Sequence, residues 1–180
     1  MSLVQLQARE PGIEAALQAR LASLNNSKGV HTYQQIEVQS IYYILLPTTD
    51  PSQTISNLTT DFRLAITTTP FTTPIQPPST PFLALGHFTI PAPSASPFDK
   101  TFEEVVHVVE DFSGNPVARS WVEERDEFVM FSGWESMDAH VRGFVGSEGF
   151  KEWVRLREFV VSAEVRHLRP LEGGLTNGTH

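Results

Sequence analysis

The sequence predicts an α+β fold: two βαββ(αβ) repeats whose antiparallel sheets pack against each other within one chain. Two observations predict it. Strand-like alternation of period two gives way repeatedly to apolar stripes of helical spacing, and the elements run strand, helix, strand, strand, helix on both sides of a Thr/Pro-rich stretch. The two halves also slide into register: Val30 against Val117 gives an offset of 117 − 30 = 87, which places Ile41 on Phe128, Tyr43 on Met130 and Ile44 on Phe131. A βαββαβ unit forms a four-stranded antiparallel sheet with both helices on one face, so its other face needs cover. A second unit in the same chain can supply that cover.

In the first half, Ser2 to Ala8 alternates Val4, Leu6 and Ala8 against Leu3, Gln5 and Gln7, the pattern of a half-buried strand. Pro11 suits the first turn of a helix whose stripe is Ile13, Ala16, Leu17, Leu21 and Leu24, stopped by the run from Asn25 to Gly29. His31 to Val38 and Ser40 to Leu46 read as two strands. Asp50, Pro51 and Gln53 open a second helix with Ile55, Leu58, Phe62 and Ala65 buried. Thr67 to Pro81 is too rich in Thr and Pro for a helix or a central strand, and reads as an extended linker or edge segment between a first half, 1–66, and a second, 82–170.

The second half restarts with a strand at Phe82 to Ile90 and a loop at Pro91 to Pro97. Thr101 and Glu104 resemble a capping box for a helix buried through Phe102, Val105, Val106, Val109 and Phe112 and closed by Gly114. Val117 to Glu123 and Glu127 to Ser132 form a hairpin turning near Glu124 to Asp126. A helical module from Ser136 to Trp153 follows, then a last strand, Val160 to Leu168, and a loose tail, 171–180.

The chain has 180 residues, no Cys and a net charge of −8. Without Cys there are no disulfides, thiolate metal sites or cysteine nucleophiles, in keeping with a reducing compartment. The acidic balance argues against nucleic acid and anionic membranes as partners. No apolar run of about 18 residues could span a bilayer and no signal-like N-terminus stands out, so a cytoplasmic location is expected and the sequons at Asn25, Asn57 and Asn177 carry little weight.

Trp134-Glu135-Ser136, followed by His140, Phe144, Ser147, Phe150 and Trp153, resembles the Trp-Ser-His-Phe-Ser-Phe series of the dimeric α+β barrel superfamily, and the ending Val165 to Pro170 is similar to the last strand of antibiotic-biosynthesis-monooxygenase-like (ABM-like) members. The tandem, two-repeat ABM-like proteins of fungi are the nearest in character. The resemblance implies ferredoxin-like repeats closing a pseudo-symmetric, dimeric-type α+β barrel in one chain, with a small-molecule cavity between helices and sheet. It implies a cofactor-independent oxygenase or cyclase of phenolic or polyketide-like substrates in secondary metabolism, as a monomeric pseudo-dimer or a homodimer. The alternative is a non-catalytic ligand-binding or stress-associated barrel, and haem-dependent members exist too. His87 matches the first-strand His of plant polyketide cyclases, but Gly149 stands where their second His is expected.

Among candidate site residues, His87 shares a strand face with Leu83 and Leu85 and is expected to approach His167 on the neighbouring last strand; two imidazoles can move a proton from a phenol or an activated methylene. His140 and Phe144 point from the helical module toward the sheet. Trp121, Trp134 and Trp153 with Phe128 and Phe131 are candidates to shape an aromatic pocket, and Arg119 to stabilise an oxyanion. Core packing accounts equally well for the aromatics, a salt bridge to Glu123 for Arg119, and packing with a hydrogen bond to a carbonyl or a strand end for His87 and His140. No His, Asp or Glu spacing has a metal-ligand pattern, and no cofactor is expected.

Overall fold

The computed structural model describes residues 1–171 except Asn26, Thr49, Pro74 and 123–125. The tail from Glu172 with the Asn177 sequon, Glu123, and most of the turn at Glu124 to Asp126 lie outside the described residues. The chain forms two compact units, one of residues 1–71 with the segment from Arg169 onward, the other of residues 72–168. Both are α+β, as expected. Among the described residues no helix is long and apolar enough to cross a membrane.

The first unit runs β1 (Ser2–Ala8), α1 (Glu14–Leu24), β2 (His31–Gln35), β3 (Ile41–Leu46), α2 (Ser52–Asp61) and β4 (Leu64–Pro70), with sheet order β4-β1-β3-β2. Val4 and Leu6 pair with Ile44 and Tyr42 across β1 and β3, and all four bury against Leu17 and Leu21 of α1 and Leu58 of α2. Pro11 stands outside α1, which starts at Glu14 after a turn with Gly12 at φ 87. At α2 Pro51, expected as the first helical residue, holds the cap position without a side-chain cap bond, and Asp50 stands one residue earlier; the Ser52 hydroxyl and then the Ser52 N–H, both donating to Asp50 Oδ1, hold its carboxyl below the usual range.

The fourth strand of this unit was disguised by composition. Thr67, Thr68 and Thr69 pair with β1 as part of a ladder from Ser2↔Pro70 to Ala8↔Leu64, so Ala65 belongs to β4 rather than to the helical stripe. β-branched Thr suits a strand, and Pro70 closes its end, where a missing N–H is tolerated.

The second unit contains β5 (Phe82–Thr89), α3 (Ala92–Ser113), β6 (Ala118–Trp121), β7 (Glu127–Trp134), a π-type turn (Ala139–Phe144), α4 (Glu148–Trp153), a 3-10 stretch (Val154–Phe159) and β8 (Ser162–Pro170). Its order, β8-β5-β7-β6, repeats that of the first unit. Helix α3 begins at Ala92, so the segment Pro91 to Pro97 is its first turns rather than a loop, and Thr101 lies mid-helix. Packing overrides the local cost of Pro97: the next residue, Phe98, is 1% exposed and meets Phe128 edge-on at 5.0 Å. Glu104, free of any cap, pairs with Arg155 at 2.8 Å.

The offset of 87 holds only for the first strand of each hairpin. Thr32 and Arg119, both helix-facing, are 119 − 32 = 87 apart, but their cross-strand partners Ile44 and Met130 are 130 − 44 = 86 apart. The second hairpin is one residue shorter between these positions. Ile44, which faces the helices, therefore corresponds to Met130 and not to Phe131, since a one-residue slip in a strand reverses every face.

Candidate functional site

In the second unit the two sheet faces carry different chemistry. Phe82, Ala84, Gly86 and Phe88 of β5 look toward the helices, as do Phe128, Met130, Ser132 and Trp134 of β7, whereas Leu85, His87, Val129 and Phe131 alternate to the other face. On β8, Ala163, Val165 and His167 share the helix-facing side.

This alternation separates His87 from His167. Ala84 is the cross-strand neighbour of His167, while His87 lies opposite Glu164 on the reverse face, where its Nε2 meets Glu127 Oε2 at 3.1 Å. The expected approach of the two does not occur. His167 meets His140 instead: Nδ1 of His140 and Nε2 of His167 are 3.0 Å apart, so one N–H is shared between the rings, whichever carries it.

Several packed rings position the pair. Trp134, 1% exposed, donates its indole N–H to Ser132 Oγ at 2.8 Å, and its ring lies 4.5 Å from that of His140. Phe82 contacts His167 at 5.3 Å. The π-type turn, with Val145 N–H bonded to His140 O, adds a residue to one helical turn and sets both His140 and Phe144 toward the sheet. Burial first, and then the imidazole of His167, push His140 down to about 4, so at neutral pH it is an uncharged ring.

The histidines line a cavity of about 350 Å³ between the sheet and the helical module. Phe88, Phe144, Phe150 and Trp153 form much of its wall, and Arg157 brings a cation to its lining. Valines 141, 145 and 165, each between 44% and 46% exposed, also line it. A smaller recess of about 50 Å³ adjoins it, sharing His140, Phe144 and Trp153 among its walls. Among the described residues no group of three or more His, Asp or Glu side chains could hold a metal ion.

Of the residues singled out in sequence, His140, His167 and Phe144 come together at the cavity, and Trp134 lines the recess. Phe131 is fully buried on the reverse face. Trp121 and Arg119 face α3 away from the cavity: the indole N–H of Trp121 bonds Asp99 at 3.1 Å, and Arg119 pairs with Glu103 and lies 4.9 Å over the Phe102 ring. Arg119 thus has a packing and ion-pair role rather than that of an oxyanion donor. Trp153, expected to shape an aromatic pocket, lines the cavity, whereas Phe88, Phe150 and Arg157 were missed as lining. The alternation of Phe88 with Phe82 and Ala84 carried a signal for the first; Arg157 had none, because its place depends on the 3-10 stretch after α4. The first unit has its own wider groove of about 550 Å³, where Arg169 donates to Gln34 Oε1 at 2.9 Å.

Residues 81–156 match the antibiotic biosynthesis monooxygenase family, and the second unit carries an ABM-like domain. No curated protein matches the sequence. The fold is similar to that of a candidate monooxygenase from Fusobacterium nucleatum, with a TM-score of 0.68, 11% identity and coverage of 94% of this chain and 91% of that one. It is also similar to an anthrone oxidase-like protein (TM-score 0.59, 8% identity, 94% and 90% covered) and to the heme-degrading enzyme of Listeria monocytogenes (TM-score 0.55, 10% identity, 93% and 99% covered). At these identities the likeness is one of fold.

Proposed function

We propose, taking the ABM-like domain of the second unit as the premise, that this protein is a cofactor-independent oxygenase of a flat phenolic or polyketide-like substrate, with His140 and His167 as its base. The observation that carries this reading is the hydrogen-bonded pair of His140 and His167 on the wall of an aromatic cavity. A cavity of about 350 Å³ is within the range of small-molecule sites, about 300 to 1,000 Å³. Phe144, Phe150 and Trp153 offer ring faces to a planar ligand.

The chemistry asks little more of the chain. A methylene acidified by flanking rings and a carbonyl gives its proton to the histidine pair, whose shared N–H lets the charge spread over both rings. The carbanion is oxidised by dioxygen, so that the methylene and one O₂ become a carbonyl and one water. Arg157 stabilises the enolate oxygen at the cavity wall. His87, held by Glu127 on the other face, takes no part.

Anthrone has such a methylene and serves as the test substrate. Purified protein is expected to consume one O₂ per anthraquinone formed, and His140→Ala or His167→Ala to lower kcat by about 100-fold or more, with His87→Ala close to the unmodified protein. Binding of anthrone without O₂ uptake would replace the enzyme with a ligand-binding barrel, and full activity in both variants would remove the pair from the chemistry.

A further inference from the structure

The cavity and its neighbouring recess differ in size by a factor that sorts their contents. A cavity of about 150 Å³ is what benzene needs, while a water-sized molecule occupies about 10 to 15 Å³. At about 50 Å³ the recess admits a diatomic molecule and excludes an aromatic ring. Its floor is built from the smallest side chains of the sheet, Ala84 and Gly86, with Met130 beside them and Val109 of α3 above. A Cβ on Gly86 would stand 2.7 Å from Phe88 Cε2 and 3.0 Å from Met130 Cγ, so any larger residue there displaces the walls.

The walls of the recess are largely apolar. Ser132 Oγ accepts the Trp134 indole N–H while keeping its own O–H, and His140 Nδ1 meets His167, so few polar groups face the space.

We infer that the recess is the dioxygen pocket, holding O₂ beside His140 while the organic substrate fills the larger cavity. This rests on the oxygenase reading and adds to it the place of the co-substrate. The step balances: the C–H proton goes to the histidine pair, the carbanion passes one electron to O₂, and radical and superoxide join in a C–O bond. The peroxide anion so formed takes back the proton to give a hydroperoxide, and elimination of water from it leaves the carbonyl.

Dissolved O₂ is its own probe, because it is paramagnetic. In methyl-labelled protein under O₂ pressure, the Met130 and Val109 methyls are expected to relax several-fold faster than those of Leu17 and Leu21, fully buried in the first unit. Ala84→Val should abolish the difference and raise KM for O₂ at least fivefold, leaving KM for anthrone within twofold. Val109→Ile fills the recess from the helix side and replaces Ala84→Val if that variant does not fold. Relaxation at Met130 and Val109 no faster than at the controls, or an unchanged KM for O₂ in an active variant, would overturn the inference and leave the oxygenase standing. Absence of O₂ uptake in the unmodified protein would overturn both.

Discussion

His140 is neutral in the fold because burial and His167 both oppose its charge. An imidazole held below its unfolded value favours the native state when uncharged, so stability is whole above about pH 6.5 and is lost as the pH falls from there through about 4. The loss amounts to about 3 kcal/mol by pH 4. Urea unfolding at pH 7 and pH 4 should show it in the unmodified protein and not in His140→Gln; equal losses would contradict a buried neutral ring. Trp134, almost fully buried beside it, should cost about 3 to 5 kcal/mol when truncated to Ala. That figure was legible from sequence, since a Trp at a strand-to-helix corner wedges between layers. The partner of His167 was not legible: alternation correctly put His87 with Leu83 and Leu85, but nothing in one strand's pattern fixes which face of β8 meets it.

At the level of elements, α3 is the longest support of the site, and its end is set by Gly114 at φ 68, a left-handed cap that the sequence signalled. A Cβ there meets nothing within 4 Å, so Gly114→Ala isolates backbone strain and should lower stability by about 1 kcal/mol in urea titrations. A change under about 0.3 kcal/mol would mean the cap relaxes freely. The beginning of α3 was hidden because Pro93 and Pro97 are loop-forming in isolation, and only Phe98 packing on Trp121 and Phe128 makes a helical turn there worthwhile. The threonines of β4 were hidden by the prolines that follow them. The π-type turn left no trace in the sequence beyond His140 and Phe144 at four-residue spacing, which an ordinary helix also provides.

For the molecule as a whole, order of elements was the strongest signal, and it led to two units with the same strand order. Register was weaker. The one-residue difference between the hairpins matches Ile44 to Met130 rather than Phe131, and alternation along β7 puts Met130 with Phe128 and Trp134 on the helix-facing side and Phe131 on the reverse face. The face that carries the cavity is marked by His140, His167 and the rings around them. The most direct measurement is a crystal structure of the protein with a planar phenol bound. The ring is expected against Phe144 and Trp153, with its oxygen within hydrogen-bond reach of His140 or His167. A phenol seated instead at His87 and Glu127, or a cavity closed by its own aromatic side chains, would contradict the assignment of the site.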